Sequence, residues 1–283
     1  MGRHLTITFA KPGHYYQSYS DFWKLVDLSG FDQCALSEVD IAKPRVYIVT
    51  PIAGDSLSGE WGPHIANQAG KIHNAHLVHW CLERPSGSGG VGNYAFENRK
   101  RMYARTLDDV WVSDRALASE TMLRYVTLGS DYGLGEPGDR KLHDFCHMSY
   151  MVDRRLRIYD QFDKKVIGWN CWGVERDQVL KHSRFALNIH QDQFPFQEPL
   201  RFALFAAYGL PILTEEIRDA YPWNESMMNF NTYDGIVGRM REMLDNDYNR
   251  WRSLGMQARA IMCKTYRFKD MVEKVVKETV WME

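Results

Sequence analysis

Apolar and polar positions along this 283-residue chain follow two alternating rhythms. Short runs rich in β-branched and aromatic residues recur: "HLTITFA" at 4–10, "RVYIVTP" at 45–51, "AHLVHWCL" at 75–82, "DVWVSD" at 109–114 and "LRYVTLG" at 123–129. Each predicts a strand. Between the first two, "YSDFWKLVDLSGF" brings Phe22, Leu25, Val26 and Leu28 to helical spacing, with Ser20 or Asp21 as its N-cap. Strands separated by helices predict a parallel sheet.

The stretch "GSDYGLGEPGDRK" at 129–141 interrupts the rhythm with glycines and a proline among charges, so it reads as a linker. Beyond it the alternation resumes through "DFCHMSYM", "DRRLRIYDQF", "KKVIGWN", "ERDQVLKHS", "RFALNIH", "EPLRFALFAAY" and "LPILTE". The expected fold class is α/β, with two Rossmann-like domains at 1–135 and 136–283. The remaining segments read as helices, with Met240, Met243 and Leu244 on one face, the last of them packing back on the N-terminal domain.

At 45% hydrophobic residues the chain has enough apolar material for two such cores. Thirty-five basic and thirty-six acidic side chains leave a net charge of −1, so no global field draws in nucleic acid or an acidic membrane. The absence of a long apolar run and of an apolar leader in "MGRHLTITFAKPGHYY" gives a cytoplasmic expectation. The scattered cysteines Cys34, Cys81, Cys146, Cys171 and Cys263 read as buried thiols rather than disulfides or a zinc site.

Several motifs invite chemistry. "GSGGVG" at 87–92 matches the dinucleotide fingerprint, with Asp114 downstream, but Glu83, Arg84, Pro85 and Ser86 separate its glycines from the strand end, so a loop is the better reading. "DND" at 245–247 lies between helical stretches, where a capping Asp245 or Asp247 accounts for it, and no metal is assigned. "NRKRMYAR" at 98–105 offers Arg99, Lys100, Arg101 and Arg105 either to solvent or to nucleic-acid phosphates. The histidines of "HNAHLVH" at 73–79 lack zinc spacing, whereas His190 ends a strand and precedes a loop, as a ligand-facing or a loop-capping residue would.

The richest segment runs from His182 to Glu216 as strand, loop, helix and strand. Glu198, Pro199 and Arg201 occupy its first helical turn, Gly209 ends the helix and Pro211 opens the next strand. The helix N-terminus offers unpaired N–H groups and a positive dipole to an anion. Glu198 fits a capping carboxylate or an acceptor for sugar hydroxyls, and Arg201 fits a phosphate partner or a partner of Glu198.

Residues 140–220 resemble the donor-binding half of GT-B glycosyltransferases of group-1 type, the clan that includes the spore-maturation CgeB-like proteins. Glu198, Arg201, Gly209, Pro211 and Glu215 match its motif, with "VIGWNCWGVERDQVLKHS" upstream and "WVSD" and "RYVTLGSD" marking the passage from the N-terminal half. The resemblance implies two Rossmann-like domains facing across a cleft and metal-independent transfer of a sugar from a nucleotide-sugar co-substrate to a hydroxyl, without a cofactor. It implies donor contacts from Arg154 or Arg155, Gly168, Trp169, His190, Glu198, Arg201 and Glu215. Many relatives carry a second glutamate five residues before the glycine, where this chain has Leu204, which puts the ribose contact in question.

An inverting mechanism needs a base, for which Glu83, then Asp114 and His14, are the candidates. A retaining one does not. The acceptor is open: Tyr15 and Tyr16 of "KPGHYYQSY" stack on a sugar or a base, and with Arg99 and Arg101 they suit a hydroxylated base in phage-type DNA, while a polysaccharide or protein fits as well. Two other classes stand beside this reading: a nicotinamide-dependent oxidoreductase built on "GSGGVG", and a non-catalytic nucleotide or nucleic-acid binder built on the basic helix.

Overall fold

Every strand pairing among the described residues is parallel, as expected of apolar runs alternating with helices. The computed structural model describes residues 6–13, 19–49, 61–82, 107–168, 171–191, 195–245 and 248–280. The chain divides into two units, one comprising Met1–Val126 and Val272–Glu283, the other Thr127–Met271.

In the first unit the strands are β1 (Thr6–Lys11), β2 (Asp32–Ala35), β3 (Arg45–Val49), β4 (His76–Cys81), β5 (Asp109–Val112) and β6 (Arg124–Tyr125), in the order β2-β1-β3-β4-β5-β6. Described helices are α1 (Ser20–Ser29), α2 (Gly62–Ala66) and α3 (Arg115–Thr121). One face of the sheet packs Phe9, Phe22, Trp80 and Trp111 edge to face, while Ala10, Tyr47, Val49 and Leu77 close on Leu36, Val39 and Trp61. Three expectations need correcting. Tyr19, not Ser20 or Asp21, is the N-cap of α1, with no side-chain cap. The strand expected over 123–129 shortens to Arg124–Tyr125, and the polar, exposed β2 was not anticipated.

The second unit holds β7 (His143–His147), β8 (Lys165–Ile167), β9 (Ser183–Asn188), β10 (Ile212–Glu215) and β11 (Met228–Asn231), ordered β11-β10-β9-β7-β8. Its helices are α4 (Asp153–Tyr159), α5 (Gly173–His182), α6 (Pro199–Ala207), α7 (Ile236–Asp245) and α8 (Tyr248–Ala260); α9 (Phe268–Val280) begins in this unit. Alternation along the strands sorts the faces. Phe145, Phe185, Leu187 and Leu213 form one core with Ile158 and Tyr159 of α4, Met240 and Met243 of α7 and Trp251 of α8. The even-numbered residues Ala186, Asn188, Ile212 and Thr214 turn to the other face.

The glycine-rich stretch 129–141, expected as a linker, is packed into the second unit. A Cβ on Gly129 would lie 1.7 Å from the Tyr266 carbonyl oxygen, so glycine here permits a close backbone approach. Ser130 bridges Arg267 in a parallel pairing, and its hydroxyl donates to the Ala203 carbonyl of α6 at 2.9 Å. No described helix is long and apolar enough to cross a membrane.

Candidate functional site

The second sheet starts at β7, places β8 on one side and β9 on the other, and so reverses direction between β7 and β9. In open parallel sheets of this order, ligands gather beyond the carboxyl ends of the strands at that reversal. His147 ends β7, Asn188 ends β9 with His190 two residues on, and Glu215 ends β10. The nine-residue helix α6 begins in the same region.

Local sequence explains how α6 arrives there. Glu198 is the N-cap and Pro199 the first helical residue, where its fixed φ suits the helix and its missing N–H costs nothing. Gly209 follows the helix at φ +62°, the left-handed conformation that turns the chain into β10. The Glu198 carboxylate makes no capping hydrogen bond; it pairs instead with Arg201, three residues on. Of the two readings open for Glu198, the cap is thus not adopted. The side chains of Glu198 and Arg201 are 22% and 17% exposed. Arg201 also donates through Nη1 to Asn188 Oδ1.

A second arginine–carboxylate pair stands on the other face. Arg154 of α4 binds Glu215 through two parallel N–H donors, with the carboxylate side chain only 6% exposed. Glu215 Oε2 also accepts the backbone N–H of His190 at 2.6 Å. The Arg154 guanidinium lies 3.9 Å from the Tyr233 ring centroid, and the Tyr233 hydroxyl donates to the Arg154 carbonyl at 2.6 Å. Both Glu215 oxygens therefore serve as an internal brace.

Arg155 points elsewhere. It is buried, with Nε donating to the Ile189 carbonyl at 2.8 Å and Nη1 to the Tyr150 carbonyl at 2.7 Å. Of the two arginines offered by "DRRLR", Arg154 is the one at the partly open edge. His190 keeps its Nε2 within 3.0 Å of the Glu216 carbonyl, so Nε2 carries the proton and Nδ1 the lone pair. Burial, together with Arg154 and Arg201, holds its pKa below the usual histidine value, against opposing contributions from the Glu216 carbonyl and Glu215.

Sequence reasoning missed His147. It is buried, Nδ1 donates to the Leu187 carbonyl at 2.7 Å, and its ring lies 5.1 Å from that of Tyr159. Burial first, then the positive charges of Arg201 and Arg155, push its pKa well below the ordinary histidine value, leaving a neutral imidazole. Asn188, Thr214 and Tyr233 were missed too, because their roles come from strand register and tertiary contact.

Gly168 is buried just after β8, where a Cβ would lie 2.6 Å from Met148 Sδ. Trp169 lies outside the described residues, as do His14, Tyr15, Tyr16, Glu83, Arg99, Arg101 and the glycines of "GSGGVG". Asp114, offered as a base, is 2% exposed and accepts the Leu117 N–H at 2.8 Å as the N-cap of α3. Its geometry is that of a helix cap in the first unit.

No family model matches the chain. An uncharacterised protein of Acanthamoeba polyphaga mimivirus is 30% identical over 115 residues, a stretch that covers 38% of this chain and 38% of that protein. Among solved structures, Anabaena HepE in complex with UDP-glucose superposes over 99% of this chain and 100% of its own, with a TM-score of 0.65 and 9% identity. An α-glucosyltransferase in complex with UDP and a mismatched DNA 13-mer covers 95% and 99%, with a TM-score of 0.54 and 7% identity. The fold is the GT-B glycosyltransferase fold. Within the second unit of this GT-B chain, two arginines, two carboxylates and a helix N-terminus without a side-chain cap gather at the carboxyl edge of the sheet.

Proposed function

We propose that the chain is a glycosyltransferase and that its second unit holds a nucleotide-sugar donor. The observation that carries this reading is the Glu198–Arg201 pair on the first turn of α6, at the reversal point of a sheet in a GT-B fold. An anionic diphosphate suits the first-turn N–H groups and dipole of α6, with Arg201 as its bidentate partner. Glu198, once Arg201 turns to phosphate, accepts from sugar or ribose hydroxyls. That assignment also answers the absence of an acid at Leu204, which is buried. The UDP and UDP-glucose bound by HepE support a uridine nucleotide as the first donor to try.

In the reaction the glycosidic C–O bond to the diphosphate breaks, the acceptor oxygen forms the new bond, and the acceptor hydroxyl gives up its proton. Arg201 and the α6 N–H groups favour the transition state because charge grows on the leaving diphosphate there. Glu83 and His14 remain the proposed bases for an inverting course, and Gly168, Trp169 and His190 the proposed lining of the donor. Tyr15, Tyr16, Arg99 and Arg101 are proposed for the acceptor, for which a hydroxylated DNA base is favoured by the α-glucosyltransferase seen with DNA.

The test is turnover. The protein is incubated with a panel of nucleotide-sugars, with hydroxymethylated DNA or with a polysaccharide, and released nucleoside diphosphate and labelled product are followed. Release from one donor, suppressed at least about tenfold by Arg201→Met, is expected. Release from no donor with any acceptor contradicts the reading.

A further inference from the structure

Arg201 depends on a chain of hydrogen bonds whose direction is fixed from one end to the other. A guanidinium only donates, so the Asn188 oxygen must face it and the Asn188 Nδ2 must face away. Nδ2 meets Thr214 Oγ1 at 3.1 Å, across the β9–β10 register in which Asn188 and Thr214 are direct partners. A hydroxyl that accepts there sends its own proton elsewhere, and Thr214 Oγ1 donates to the Glu215 carbonyl at 3.0 Å. Asn188 and Thr214 are completely buried, and water does not compete for their groups.

We infer that Asn188 and Thr214 are positioning residues for Arg201: the Thr214 hydroxyl locks the Asn188 amide with its oxygen toward the guanidinium, and so sets the direction in which the Arg201 guanidinium meets a ligand. The inference rests on the donor reading for what that ligand is, and on the hydrogen-bond chain alone for the arrangement itself. Without the hydroxyl the buried Asn188 Nδ2 has no acceptor there, and an amide that shifts to find another carries its oxygen away from the Arg201 guanidinium. The arginine then moves. Glu198, on the same helical turn, holds the guanidinium from one side only and does not restore its direction.

Two readouts separate the arrangement from the function. With arginine labelled by 15N, the Arg201 guanidinium signals of the wild type are compared with those of Thr214→Val, Thr214→Ser and Asn188→Asp. Thr214→Val shifts and broadens the Arg201 signals and leaves those of Arg154 in place, and Thr214→Ser, which keeps the hydroxyl, restores them. Asn188→Asp turns an accepting oxygen toward Arg201 in either orientation, so adding Thr214→Val to it has no further effect on Arg201. Calorimetry with UDP then reads the consequence. Thr214→Val weakens UDP about tenfold, as expected for a misplaced bidentate donor, Thr214→Ser stays within about twofold, and Thr214→Val on the Asp background adds nothing.

Arg201 signals indifferent to Thr214→Val overturn the inference, as does an equal loss from Thr214→Val with and without Asn188→Asp. Unchanged UDP affinity beside moved Arg201 signals overturns the claim that the lock serves the ligand. If the wild type binds no UDP while the signals respond as described, the lock stands and the uridine donor falls.

Discussion

Two arginine–carboxylate pairs stand on opposite faces of one sheet edge and are built differently. Arg154–Glu215 joins α4 to β10 and, through the His190 N–H, to the loop after β9, with the carboxylate almost wholly buried. Glu198–Arg201 lies within one turn of α6, both side chains partly open. The first is a brace that holds three segments together, and removing its acid takes from Arg154 its carboxylate and from the His190 N–H its acceptor. The acid of the second touches only its arginine, and it is the arginine that reaches β9, through Asn188. An acid beside an arginine thus takes its role from what else the acid touches.

The largest expected effect is on the brace. Glu215→Ala should lose about 3–5 kcal/mol of stability, the usual result of breaking a buried pair from one side, measured by urea unfolding. A loss no larger than that of Glu198→Ala would erase the distinction between the pairs. Next comes Arg155→Met, which leaves the Ile189 and Tyr150 carbonyls without this donor and should cost about 2–3 kcal/mol. It should leave ligand affinity unchanged once the protein is folded.

Acid sharpens the comparison further. The neutral, buried His147 stays unprotonated in the fold while the unfolded chain takes up a proton below about pH 6.5. Stability attributed to it is therefore complete above that value and falls as pH drops, with a slope of up to about 1.4 kcal/mol per pH unit. His147→Asn should flatten part of this slope, to which His143 and His190, also held low by burial, add. An unchanged slope would show that His147 takes up its proton in the folded state. The smallest effect belongs to Glu198→Ala, at about 1 kcal/mol, because the pair lies on one helical turn and Arg201 keeps its hydrogen bond to Asn188 without the acid.

Much of this architecture was legible in the chain. The apolar runs that became β9 and β10, and the Glu198-Pro199 start and Gly209 stop of α6, carry their own local signals, which the strand and helix observed there follow. The edge strands β2 and β11 do not, since "DQCA" and "MNFN" lie at sheet margins and include polar or exposed positions. Arg154, His190, Glu198, Arg201 and Glu215 were recognisable as candidates, but their partners were not. Arg154 and Arg155 are adjacent in sequence yet about 100° apart around a helix, so only the packed structure says which one faces inward. The Asn188–Thr214 contact spans 26 residues and depends on the register of two parallel strands.

The central claim is that Arg201 and the start of α6 receive a donor diphosphate. The direct measurement is thermal unfolding of the wild type and Arg201→Met across a panel of nucleoside diphosphates and NAD. A ligand at a hundredfold its Kd stabilises the native state by about 2.7 kcal/mol, enough to read as a rise in Tm. The account predicts a rise with one nucleoside diphosphate, lost in Arg201→Met, whose own ligand-free Tm falls because the buried Asn188 oxygen loses its donor, so the rise is read against each variant's ligand-free Tm. A rise that survives Arg201→Met, a rise with NAD alone, or none with any nucleotide would contradict it.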